Sequence, residues 1–167
     1  MASEWTTPEM IIAMSSVVIA LCALGTSFWQ GYTTRQHNKL SVKPSLNLGY
    51  SLSKHSSFIG IEIKNTGIGP LIIKNATISK GGKSFKISDG NFKELFPALC
   101  NEDFHFNLLS PNYWLLPGQG VWVVSTAGHQ HNPELMHRMD YELQGVLIEV
   151  DFECIYQNKY SGRMHIS

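Results

Sequence analysis

The sequence predicts a mainly β protein: one N-terminal transmembrane helix, then an antiparallel β-sandwich of immunoglobulin-like size with one or two short helices. Three observations predict it. Met10 to Thr34 carries no charged side chain, and Ile11–Trp29 within it is apolar on every face. Pro44 then stops any helix, and from Leu46 onward apolar residues alternate with polar ones instead of recurring at helical spacing. Seven extended runs of this kind, separated by Gly, Pro and Asn turns, fit into roughly 120 residues.

The anchor is justified first. About 20 apolar residues cross a hydrocarbon core of roughly 30 Å. Thr7-Pro8-Glu9 reads as a helix start, and Trp5, Trp29 and Tyr32 suit the two interfaces. A cleaved signal peptide needs a basic leader, and the residues before the apolar run carry Glu4 and Glu9 instead. Arg35, Lys39 and Lys43 follow the run, so the positive-inside rule puts the larger part of the chain in the cytoplasm. The expected organisation is a short extracytoplasmic N-terminus (1–9), a span (10–32), a basic juxtamembrane linker (33–43) and a cytosolic domain (44–167). Small residues, among them Ala13, Ser16, Ala20 and Ala23, share one face of the helix and would permit close packing between copies.

The strands follow in order. Leu46, Leu48, Tyr50 and Leu52 point one way, and Ile59, Ile61 and Ile63 repeat the pattern up to a turn, Asn65-Thr66-Gly67-Ile68-Gly69-Pro70. In Leu71 to Ser79 the apolar parity changes between Ile73 and Ala76, which predicts a bulge. Gly81-Gly82 makes a tight hairpin into Lys83–Ile87. Residues 89 to 118 read as irregular, with a short helix capped by Asn91 and limited by Pro97. Pro117-Gly118-Gln119-Gly120 launches the strand Val121–Ser125, and Asn132-Pro133 starts a short helix carrying Met136 and Met139. Val146, Ile148, Val150, Phe152, Cys154 and Tyr156 alternate with Glu149, Asp151 and Glu153. After a polar turn, Tyr160, Gly162, Met164 and Ile166 alternate with Ser161, Arg163 and His165, giving a hairpin with one wet face.

Composition excludes more than it assigns. Thirteen basic and 13 acidic side chains leave a net charge of zero, so a general nucleic-acid or anionic-surface role has no electrostatic support, and no DNA partner is expected. Cys22, Cys100 and Cys154 show no paired spacing, which fits a reducing compartment. No nucleophile elbow, P-loop, metalloprotease or dinucleotide fingerprint occurs, and the sequence predicts no enzyme. His129, His131 and His137, with Glu134 or Asp140, could converge on a metal, or could be a polar loop with incidental histidines. No cofactor is expected. The carboxylates Glu149, Asp151 and Glu153 could hold a cation, or could form a solvated, edge-protecting face.

The junction Gln30, Arg35 and His37-Asn38-Lys39-Leu40-Ser41-Val42-Lys43-Pro44 resembles a pattern in small bacterial membrane proteins, in which a span ending in Trp leads through H-N-R/K-L-S-V-R/K-P into a β-sandwich. Asn65-Thr66-Gly67-Ile68-Gly69-Pro70, Leu116-Pro117-Gly118 and the Tyr156–Tyr160 turn are similar to theirs as well. One branch of this layout resembles the ancillary membrane effectors of type III CRISPR antiphage defence. That resemblance implies an inner-membrane homo-oligomer whose cytosolic domain binds a cyclic oligoadenylate, such as cyclic tetra-adenylate, and perturbs the bilayer. No binding motif is carried over residue by residue.

For such a ligand the residues on offer are amides, aromatic planes and cations. They are Lys80 and Lys83 at the glycine hairpin, Asn107, Asn112, Tyr113 and Trp114 in one irregular stretch, and His129, His131, Asn132 and Arg138 in another. If the two stretches share one end of the sandwich they would line a pocket. Alternatively, Tyr113 and Trp114 plug the sandwich and the Asn residues make turns. The competing function is a membrane-tethered protein-interaction module with no small ligand.

Overall fold

The computed structural model of the protein describes residues 8–51, 60–99, 104–126 and 133–167. Leu52, Ile59, Cys100, Asn101, His129, His131 and Asn132 lie outside them. The chain divides into two units, Met1–Ser41 and Val42–Ser167.

In the first unit, α1 runs from Pro8 to Ser41. Its 34 residues measure about 51 Å at 1.5 Å each. It is long and apolar enough to cross a membrane. Its hydroxyls are bonded back into the helix, Ser16 to the Ile12 carbonyl at 2.8 Å and Ser27 to the Ala23 carbonyl at 2.8 Å. They therefore cost little in an apolar medium. The helix continues through the basic stretch, so segment 33–43 is helical to Ser41 and leaves only Val42, in a turn, and Lys43 before Pro44.

The second unit holds two antiparallel sheets. β1 (Leu46–Ser51), β2 (Gly60–Asn65), β7 (Gly120–Thr126) and β5 (Phe104–Phe106) form the first, in the order β1-β2-β7-β5. The second has the order β4-β3-β8-β9, from β4 (Lys83–Lys86), β3 (Leu71–Lys80), β8 (Leu147–Glu153) and β9 (Lys159–His165); β6 (Tyr113–Leu115) pairs with the first residues of β3. One core joins them: Ile61, Ile63, Val123 and Val124 from the first sheet pack in one cluster with Ile73, Ile78, Ile148 and Val150 from the second. The expected sandwich is thus present, with nine strands among the described residues rather than seven. The additions, β5 and β6, are three residues each and lie in the stretch read as irregular. The expected bulge is present as a register shift between Ile73 and Asn75. Alternation in β8 holds through the buried Cys154, but the chain turns there, and Tyr156 is exposed rather than inward.

The sheets are stitched together where the chain crosses between them. Asn65, fully buried, closes β2, and its amide Nδ2 donates to the Gly69 carbonyl at 2.8 Å and the Leu115 carbonyl at 3.0 Å. Its Oδ1 accepts from the backbone of Ser45 at 3.3 Å and Gly67 at 3.0 Å. Its main chain adds two bonds to the 118–119 turn, Asn65 N to the Gln119 carbonyl and Gly118 N to the Asn65 carbonyl, each 2.9 Å. One side chain therefore ties the entry of the domain, the 65–70 corner and the 116–119 turn. Gly67 and Gly69 allow the close approach: a Cβ on Gly69 would stand 1.7 Å from the Val42 carbonyl oxygen.

The far end is closed by helices. α2 (Phe92–Leu95) buries Phe92 and Leu95; Asn91 precedes it as expected, but its side chain makes no capping bond. α3 (Pro133–Leu143) buries Met139 and Leu143 and touches both sheets. Tyr50 of β1 donates to Asp140 at 3.1 Å, and Lys80 of β3 pairs with Glu142 at 2.8 Å. Burial, and then the Asp140 carboxylate, push the Tyr50 hydroxyl well above its ordinary pKa near 10. Its contribution to stability is therefore full below about pH 10 and is lost as pH rises beyond it. In alkaline titrations followed by circular dichroism, Tyr50→Phe should flatten that fall, while costing about 1 kcal/mol near neutrality. An unchanged alkaline slope would count against the Tyr50–Asp140 tie.

Candidate functional site

The outer face of the second sheet is the most developed polar surface among the described residues. β8 has period-2 burial, so Glu149, Asp151 and Glu153 all point outward, about 7 Å apart from one to the next. β8 lies between β3 and β9, so the reading of this row as edge protection does not hold: it is the middle of a sheet. Register fixes the neighbours. Glu149 lies between Thr77 and Arg163, Asp151 between Asn75 and Ser161, and Glu153 between Ile72 and Lys159. Lys86 of β4 extends the first row beyond Thr77. A central file of carboxylates is thus flanked by hydroxyls and amides, with cations at several outer positions.

The bulge adds a cation to this face. The register shift between Ile73 and Asn75 gives β3 an extra residue there, and Lys74 is exposed beside Glu153, with 2.6 Å between Nζ and Oε1. Lys74 also donates to Asn112 Oδ1 at 2.8 Å, and Asn112 adopts a left-handed φ of 65°. As a partly exposed pair, Lys74–Glu153 is worth at most about 1 kcal/mol. Two shallow hollows lie along the face. One, of about 590 Å³, is bordered by Lys74, Asp151, Glu153 and Lys159; the other, of about 540 Å³, by Thr77, Glu149 and Arg163; they share Asn75, Asp151 and Ser161.

The residues singled out for a nucleotide ligand are dispersed. Asn112, Tyr113 and Trp114 are together at β6, beside the first residues of β3, whereas Lys80 and Lys83 are at its other end. Tyr113 and Trp114 are both exposed, so they do not plug the sandwich. The Asn107 amide is spent on the Trp122 carbonyl at 2.7 Å. Lys80 is held by the carboxylate and the carbonyl of Glu142, with its ammonium 5.5 Å from the centre of the Phe96 ring. Lys83 is exposed on the hairpin, and Arg138 lies on α3, one turn before Glu142. His129, His131 and Asn132, the rest of the second stretch, lie outside the described residues. His137 is exposed on α3, and no group of three metal-binding side chains occurs among the described residues. Lys74 and Asn75 escaped sequence reasoning as site residues, although the parity change that marks the bulge was the signal for them.

No protein-family model matches the chain, and no curated protein matches it. Among solved structures it is similar to the archaeal flagellum of Methanospirillum hungatei strain JF1, at 14% identity over 94% of this chain and 90% of that one, with a TM-score of 0.29. At that score the similarity carries no argument.

Proposed function

We propose that the protein is a membrane-tethered interaction module of the bacterial inner membrane. In this reading α1 is a single span, its N-terminus is outside, and the β domain is cytoplasmic and holds a partner protein at the bilayer through the outer face of its second sheet. The observation that carries it is that face: a file of carboxylates in the middle of a sheet, with cations about it and no described element covering it. Such a surface suits a partner segment of mixed charge, and like-charge mismatches would reject others. The partner that co-purifies from membranes with the full-length chain should be lost on the double change Glu149→Lys and Asp151→Lys and kept by Lys83→Glu. Equal retention in both would sink this reading.

A second reading is the ligand-gated effector that binds a cyclic oligoadenylate as a homo-oligomer. What favours it is the junction: α1 ends at Ser41, and the backbone of Lys43 and Ser45 is already bonded to the 65–70 corner. A rearrangement of the domain would reach the helix with little slack. Cyclic tetra-adenylate added to the purified full-length protein separates the two. The interaction module predicts no change in melting temperature or oligomer size; a rise in either favours the effector. A reporter fused after Ser167 should be active in the cytoplasm, and activity only in the periplasm would reverse the orientation.

A further inference from the structure

Four loops meet at one pole of the β domain: the entry 42–45, the corner 66–70, the turn 116–119 and the β8–β9 turn 154–158. Backbone bonds join the first three, Thr66 N to the Ser45 carbonyl at 2.8 Å, Gly69 N to the Lys43 carbonyl at 3.5 Å and Asn65 N to the Gln119 carbonyl at 2.9 Å. The fourth is beside them because β8 pairs with β3 next to the corner, and the Lys43 ammonium lies 5.7 Å from the Tyr160 ring. Adjacent strands are about 4.8 Å apart, so the four loops fall within roughly 20 Å.

These loops carry an unusual surface. Ile68 is 76% exposed, Leu116 51%, Ile155 44% and Tyr156 42%, and Trp114 of β6 is exposed just behind them. None of the four loops has an acidic residue, while Lys43 lies in the entry loop and Lys159 stands at the start of β9. Glu153, beside Lys159 in the sheet, is paired with Lys74 at 2.6 Å. Exposed aliphatic tips, an aromatic rim and loops that carry Lys43 and no carboxylate form the composition of a surface that settles into the headgroup layer.

The chain itself names the occupant. Arg35–Ser41, the charged end of α1, spans about 10 Å, a few ångströms more than the roughly 5–8 Å of one headgroup layer. The residue after it, Val42, opens the entry loop at this pole. We infer that this pole is a second membrane-contacting surface, which rests Ile68, Leu116, Ile155 and Tyr156 on the bilayer that α1 crosses. The inference rests on reading α1 as a span, and it is independent of what the sheet face holds.

The test uses the full-length protein with Cys22→Ser and Cys100→Ser, the buried Cys154 being retained. Single cysteines replace Ile68, Ile155, Lys83 or Leu21, each labelled with an environment-sensitive fluorophore. The protein is placed at one copy per nanodisc of phosphatidylethanolamine and phosphatidylglycerol containing nitroxide-labelled lipid. Shallow nitroxides should quench the probes at Ile68 and Ile155 at least about three-fold more than the probe at Lys83, on the far hairpin. Deep nitroxides should quench Leu21, near the middle of the expected span. If Leu21 is quenched while Ile68 and Ile155 match Lys83, the proposal is overturned and the span stands. If Leu21 is not quenched, the span reading falls and takes this inference with it. If Ile68 is shielded from aqueous iodide only when two copies share a disc, a second copy covers the pole and lipid contact is overturned.

Discussion

Asn65→Asp should destabilise the β domain by about 3–6 kcal/mol, enough to unfold a domain of ordinary marginal stability at moderate temperature. The change is nearly isosteric, so packing is not the cause. The Asn65 amide donates to two carbonyls, Gly69 at 2.8 Å and Leu115 at 3.0 Å, in a site with no access to water. A carboxylate cannot donate, so both carbonyls lose their partner and face a negative oxygen. Each unsatisfied buried group costs about 1–3 kcal/mol, and the charge adds to that. Thr66→Ala is the control. Thr66 is exposed, and its hydroxyl makes one long bond of 3.3 Å to the Ser45 carbonyl, so the loss should stay within about 0.5 kcal/mol. Urea titration of the detergent-solubilised full-length chain measures both. A loss below about 1 kcal/mol for Asn65→Asp would mean that the corner is not held as described.

Gly69→Ala should cost about 3 kcal/mol or more and loosen the entry of the domain in particular. The new Cβ would sit 1.7 Å from the Val42 carbonyl oxygen and 2.4 Å from its carbon. Both are backbone atoms, so no side-chain rotation relieves the clash, and either the corner or the segment 42–45 must move. Hydrogen exchange should therefore quicken first at Ser45, Thr66 and Gly69, whose amides make the bonds of this contact. Gly31→Ala offers the contrast: nothing lies within 4 Å of its added Cβ, and Ala is the better helix former. It should be neutral or slightly stabilising. Equal behaviour of the two variants would contradict the close approach at Gly69.

What could be read from the sequence, and what could not, divides along physical lines. Period-2 burial reports directly on a half-buried strand, so β8 and β9 are legible in the sequence, and the parity change between Ile73 and Ala76 marks the bulge that the structure has at Lys74. Gly81-Gly82 gave the hairpin because both residues take positive φ, 57° and 79°. β5 and β6 were not legible, because three residues are too few to show a period. The sheet to which a strand belongs was hidden as well, and with it the fact that the carboxylate row is central rather than at an edge. Site residues fared worse for the same reason. The partner of Lys80 is Glu142, 62 positions away, and no local pattern announces such a pair. Tyr113 and Trp114 were read as pocket walls or as plugs, and they are neither buried nor joined to the hairpin lysines.

The pairing of β3 has a consequence for how the protein is made. β3 is the strand around which the second sheet is built, yet the register partner of Thr77 is Glu149, 72 residues later. At about 5–20 residues per second, ribosomes need roughly 4–14 s to supply it. Asn65 likewise waits for Leu115 before its amide is satisfied. During that interval Ile72 and Ile73 stand without their β8 partners Glu153 and Phe152. The apolar strand is therefore exposed until the second sheet closes, and slowing translation downstream of β3 should raise turnover of the chain more than slowing it upstream.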